Sequence, residues 1–221
     1  MGDLGGPGLL VALEGGPGSG TAEQALLLRQ SLDGAGVPAE LAQPDGEGAW
    51  LVPQGGAPPR WPAVMRVPPF LFRLTELADT WQQAVAPALA AGSVVIVDRY
   101  RLTLLAHAGA RRLDVGWAGR VAEALPHAHV SIYLRSDPAR QLDRLLRAGT
   151  ALRDWEHGVD ASHGPSVGAA FRAYQTAVAR EFESLVSGDG PHVLTLDGDA
   201  APAELQRHIR DAVIAGLEAM E

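Results

Sequence analysis

The chain has 221 residues and a mass of 23.2 kDa, for which one α/β domain spanning 1–221 is the simplest expectation. Hydrophobic residues make up 47%, enough for a substantial core, and the formal net charge of -8 argues against a nucleic-acid polyanion as main partner. The lack of cysteine excludes disulfides, thiolate catalysis and Cys-ligated zinc, and no apolar run reaches membrane-spanning length, so a soluble, cytoplasmic protein is expected.

Short apolar runs alternate with helical patterns along the chain. The strand candidates are 9–13, 37–41, 94–97, 130–134 and 193–196. The first helix is predicted from Ala22 to about Asp33, with Ala22, Ala25, Leu26, Leu28 and Leu32 on one side. A longer helix is predicted from Phe70 to Ala90, kinked in its last turn by Pro87. Further helices are expected over 116–124, 138–148, 167–186 and 202–219, two of them beginning at Pro138 and Pro202 where a first turn tolerates proline. Two irregular stretches, 43–67 and 149–165, have the length of lids or binding segments. This alternation predicts a three-layer α/β fold: a parallel sheet of about five strands with helices on both faces.

The most informative segment joins the first strand to the first helix. Gly15 and Gly20 have the spacing of the phosphate-binding loop G-x-x-x-x-G-K-[ST], whose backbone N–H groups, here from Gly18, Ser19 and Gly20 onward, cradle phosphates. The lysine position is Thr21 and the magnesium-binding hydroxyl position is Ala22. All 18 residues counted as Lys+Arg are arginines, so no lysine exists anywhere to take the missing role. The histidines at 157 and 163, and at 127 and 129, lack the helical i, i+4 spacing with a catalytic Glu of a zinc hydrolase, and no metal site is expected.

Several further segments fall in a recognisable order: Leu13-Glu14-Gly15, then 81–92, then Asp98-Arg99-Tyr100 at a strand end, Ile132-Tyr-Leu, Asp137-Pro, the lid-like Arg153-Asp-Trp-Glu156, and Phe171-Arg-Ala-Tyr174. Over nearly the whole chain this order resembles the thymidylate kinase family of P-loop nucleoside-monophosphate kinases. The resemblance implies that Asp98 orients the attacking oxygen or a metal-bound water, that Arg99 neutralises phosphate charge, and that Arg153 or Arg147 of the lid closes over the transferring phosphate. It places Arg73, Tyr100, Thr103 and His107 on the acceptor side. ATP is the implied nucleotide, with Mg²⁺ binding weakened or absent, and the family commonly pairs as a homodimer through helices flanking the sheet, for which the 70–90 helix and the apolar 102–110 segment are the candidates here.

The departures fall on both sides of the implied site. Thr21 and Ala22 remove a charge and a metal ligand from the donor side, where one positive charge supplied as an arginine finger is worth roughly 10³–10⁵ in rate. On the acceptor side, the family's helix arginine aligns with Leu77, and its base-reading Tyr-Gln pair becomes His107-Ala108. The sequence therefore predicts a pseudokinase with a binding, regulatory or scaffold role toward a nucleotide or a protein partner. The alternative is a divergent phosphotransferase in which lid arginines supply the charge.

Overall fold

A computed structural model of the chain describes residues 7–42, 65–152, 157–160, 165–187 and 193–220. Five strands, β1 (Leu10–Glu14), β2 (Ala39–Ala42), β3 (Val94–Asp98), β4 (Val130–Arg135) and β5 (Val193–Asp197), form one parallel sheet in the order β2-β3-β1-β4-β5. Leu13 of β1 stands opposite Asp98 of β3 and Ile132 of β4, so the chain leaves β1 and β3 side by side at the same edge. The strand order reverses between β3 and β4 on either side of β1, which opens a crevice at the carboxyl ends.

Alternation along the strands builds both cores. Leu10 and Ala12 of β1 join Val95 and Val97 of β3 on one face. Leu9, Val11 and Leu13 join Val94, Ile96 and Ile132 on the other. Helices α1 (Thr21–Gly34) and α8 (Pro202–Glu218) cover the second face through Leu28, Leu32, Ile209 and Val213. The first face is covered by α2 (Val67–Thr80), α3 (Ala86–Ala90), α4 (Arg101–Ala110) and α5 (Val115–Ala122). Helices α6 (Pro138–Arg147) and α7 (Val167–Val186) complete the fold, α7 packing against both α4 and α6. The predicted three-layer arrangement is the observed one.

Three local differences have physical causes. The buried face of α1 is Thr21, Gln24, Ala25, Leu28 and Leu32, while Ala22 and Leu26 are exposed. The stretch 70–90 is not one α-helix: Trp81–Val85 forms a π-helical turn between α2 and α3. Pro87 has no N–H for the carbonyl four residues before it and its ring crowds that carbonyl, so the ladder shifts upstream of the proline. Finally, 101–110 is a helix that no local sequence signal announced. Its N-cap Tyr100 makes no side-chain cap, whereas Asp114, Asp137 and Ser166 cap α5, α6 and α7 from within their own segments. Residues Thr103 to Gly109 are buried within the chain, which leaves this segment little surface for a second copy.

Leu77 is 1% exposed and lies in the first-face core. Truncation should leave a cavity there: Leu77→Ala is expected to destabilise the fold by about 2–5 kcal/mol, read as a lower midpoint with unchanged slope in urea titration.

Candidate functional site

The loop after β1 reaches α1 through two glycines in left-handed conformation, Gly18 at φ 77 and Gly20 at φ 95. At Gly18 a Cβ would also lie 2.6 Å from the carbonyl oxygen of Gln141, so the loop passes against α6 too closely for any side chain. Gly20 is the N-cap of α1 and supplies no side-chain cap, so the first-turn N–H groups are left for a ligand. Gly15 and Ser19 are buried on the inner side of the loop, and Ser19 N–H closes a turn onto the Gly16 carbonyl at 3.1 Å.

A cleft of about 520 Å³ opens in front of the loop. Gly18, Gly20, Thr21 and Ala22 of the loop line it together with Asp98, Arg99, Arg144 and His157. The structure thus brings the predicted Gly18, Gly20, Thr21, Ala22, Asp98 and Arg99 to one cavity, while Gly15 and Ser19 do not line it. The Oδ1 atom of Asp98 is buried and accepts no hydrogen bond from the described residues, with the Arg99 Nε 3.9 Å away. Arg99 adopts φ 60, a left-handed conformation that costs an L-residue roughly 1–2 kcal/mol. Its N–H donates to the Leu13 carbonyl at 2.8 Å.

Beneath this turn lies a residue that the sequence reading passed over as a motif letter. The Glu14 carboxylate is buried and accepts four hydrogen bonds: from Tyr100 N–H (3.0 Å), Leu102 N–H (3.0 Å), Thr103 N–H (2.9 Å) and the Thr103 hydroxyl (2.6 Å). It is the missing cap of α4, supplied from the end of β1. Burial pushes the Glu14 carboxyl above its ordinary range, and the four donors pull against that shift. Thr103 Oγ1 also accepts from Gly15 N–H at 3.3 Å, joining the phosphate loop to the start of α4.

The acceptor-side candidates are engaged within the chain. Thr103 is committed to Glu14, and the buried Tyr100 donates its hydroxyl to the Pro126 carbonyl. His107 shares a 2.9 Å hydrogen bond with the Tyr174 hydroxyl, which also accepts from Arg111 Nε at 3.2 Å. Arg111 holds Asp160 with two bonds of 2.9 and 3.1 Å. Burial pushes the Tyr174 hydroxyl up to about 12, so it stays protonated in this network. Arg73 pairs with Glu76 on its own helix at 3.3 Å and is absent from the cleft wall.

Of the lid arginines, Arg153 lies outside the described residues, and Arg147 is exposed and off the cleft wall. The arginine that does reach the loop is Arg144, which the sequence reading missed. It donates to the Gly18 carbonyl at 3.1 Å and pairs with Asp199 at 3.0 Å. It stands three residues after the buried Gln141, one helical turn along the same face of α6 that meets the loop; without knowing that face, the sequence offers no means to choose among the three arginines in that helix.

A P-loop Mg²⁺ does not fit the residues present. The hydroxyl that would ligate it is replaced by the Ala22 methyl, and the described residues contain no cluster of three His, Asp or Glu side chains able to hold a metal. Nor is any described helix long and apolar enough to cross a membrane.

A glycine loop leading from the first strand into an uncapped helix, within a parallel sheet of this order, defines the P-loop nucleoside-triphosphate-binding class of folds. No protein-family model matches the chain. Whole-chain comparison is more specific. It is 24% identical over 204 residues to the probable thymidylate kinase 2 of Saccharolobus solfataricus, covering 92% of this chain and 94% of that protein. It is 32% identical over 151 residues to the thymidylate kinase of Xanthomonas euvesicatoria, covering 67% and 66%. With the Xanthomonas campestris thymidylate kinase it shares 27% identity over 212 residues, covering 95% and 85%. The chain belongs to the thymidylate kinase family.

Asp199 anchors the Arg144 strut. Burial works against its charge, but hydrogen bonds from Asp137 N–H and the Ser136 hydroxyl, with the Arg144 charge, hold its carboxyl below the ordinary value. A depressed carboxylate contributes stability above its unfolded value and loses it as pH falls. Asp199→Asn should therefore melt below the parent at pH 7, and the gap should close below about pH 4, as followed by thermal melts across pH.

Proposed function

We propose that the chain is a thymidylate-kinase-like pseudokinase, a nucleotide-responsive binding or scaffold protein that no longer performs ordinary ATP-to-dTMP phosphoryl transfer. The observation that carries this reading is the identity of the first two residues of α1, Thr21 and Ala22, on the cleft wall where a lysine and a magnesium-binding hydroxyl would act. Thr21 can donate one neutral hydrogen bond to a phosphate, and the loop and first-turn N–H groups can cradle it. Neither supplies the charge that transfer requires.

The acceptor side supports the same reading. Leu77, where the family's phosphate-gripping arginine aligns, is core, and His107 is buried and hydrogen-bonded to Tyr174. Thymine recognition thus has no evident residue set among the described residues. As in the family, pairing with a second copy would use the stretch that includes α2, which exposes Val67 and Leu71.

A second reading, a divergent phosphotransferase for another small acceptor, rests on Arg99 and Arg144 at the cleft. They bring positive charge to the loop without lysine, and Arg99→Ala or Arg144→Ala would abolish its turnover.

Calorimetric titration separates these readings. The pseudokinase should bind ATP with the same affinity in the presence and absence of Mg²⁺, bind no dTMP, and transfer no phosphate from ATP to dTMP above a no-enzyme control. Steady transfer, or tight magnesium-dependent binding of both ligands, would sink it.

A further inference from the structure

Among the described residues only Arg99 and Arg112 are non-glycine residues with positive φ, and they differ in setting. Arg112 follows the C-terminus of α4, where a left-handed residue commonly ends a helix. Arg99 sits in the middle of the site, between the last residue of β3 and the N-cap of α4. Strain kept at such a place requires surroundings that over-determine it.

The surroundings are the last two residues of β1. Leu13 O receives the Arg99 N–H at 2.8 Å, fixing the peptide plane before Arg99. Glu14 Oε2 receives the Tyr100 N–H at 3.0 Å, fixing the plane after it. The Glu14 carboxylate is itself immobilised by Leu102 and Thr103, so it is a rigid clamp. With both flanking planes fixed, Arg99 cannot relax to a right-handed or extended conformation, and its side chain is directed to the cleft wall shared with Gly20 and Thr21.

We infer that Glu14 is a positioning residue for phosphate binding: it holds Arg99 in a strained backbone conformation that aims the guanidinium at the phosphate chain of a nucleotide seated on the loop. The inference rests on the nucleotide-binding reading above and adds to it the residue that sets the geometry of the charge. Through Thr103, which bridges Glu14 and Gly15 N–H, the same carboxylate fixes the Arg99 turn relative to the loop itself.

The test compares wild type, Glu14→Gln, Arg99→Ala, Arg99→Gly and the double variant Glu14→Gln/Arg99→Ala, by thermal melting and by calorimetric titration with ATP in the absence of Mg²⁺. A strained left-handed position favours glycine over alanine, the reverse of ordinary backbone preference, so Arg99→Gly should melt at least about 2 °C above Arg99→Ala. Both should bind ATP at least about tenfold more weakly than wild type, the scale of one lost charge-assisted hydrogen bond. Glu14→Gln should weaken ATP to a similar degree, yet change it little when Arg99 is already Ala; a residue that serves stability alone would show no such coupling. If Glu14→Gln does not fold, Thr103→Val, which removes one of the four donors to the clamp, is the substitute and should weaken ATP binding in the same coupled way. Wild-type ATP binding that survives unchanged in the clamp variant overturns the inference and leaves the nucleotide reading standing. A wild type that binds no ATP overturns that reading and the role built on it, while the melting comparison still decides the strain: Arg99→Ala melting at or above Arg99→Gly removes it.

Discussion

One buried carboxylate joins the two halves of the site. Glu14 ends the central strand, and its four hydrogen bonds go to the turn and first helical residues that follow the neighbouring strand. A carboxylate at the N-terminal end of a helix satisfies donors that would otherwise be orphaned and meets the positive end of the helix dipole. Buried without those partners it would be prohibitive, so the position of α4 and the ionisation of Glu14 are mutually dependent. The phosphate loop begins at the next residue, and Asp98 and Arg99 precede the helix, so the cleft takes its shape from this contact.

The same contact explains which parts of the fold were legible in the sequence. Strands of consecutive β-branched and leucine residues, such as Val94 to Val97, are readable because their signal lies within the segment. So are α5, α6 and α7, whose caps Asp114, Asp137 and Ser166 are adjacent in sequence. Helix α4 was not readable, because Tyr100 cannot cap it and the residue that does lies 86 positions away. The α1 face was misread for a related reason: the glycine loop rotates the first turn so that Thr21 points inward, and Ala22 and Leu26 outward. A hydrophobic pattern sets the period of a helix, but the loop that launches it sets the phase.

At the site, donor-side residues share a cleft, whereas the acceptor-side residues implied by the resemblance are held in contacts elsewhere within the chain. Thr21, Ala22, Asp98 and Arg99 line one cleft. Arg73 forms a pair on its own helix, and His107 and Thr103 are absorbed into internal networks. In a chain whose every basic residue is arginine, charge alone cannot mark the functional ones. Arg144 is distinguished by what it touches, the carbonyl of Gly18 and the carboxylate of Asp199, and both contacts require the folded sheet.

The strand order has a consequence for how this protein is made. β1 pairs with β3 and β4, whose residues lie far downstream, so the central strand has no neighbour until β3 is synthesised and lacks its second until β4 follows. During translation the apolar β1 and the uncapped loop therefore wait through the emergence of roughly the first half of the chain. Folds so dominated by distant pairings acquire their order slowly and expose apolar segments meanwhile. The binding cleft cannot serve as an early nucleus for the fold; it comes into existence only as the sheet closes.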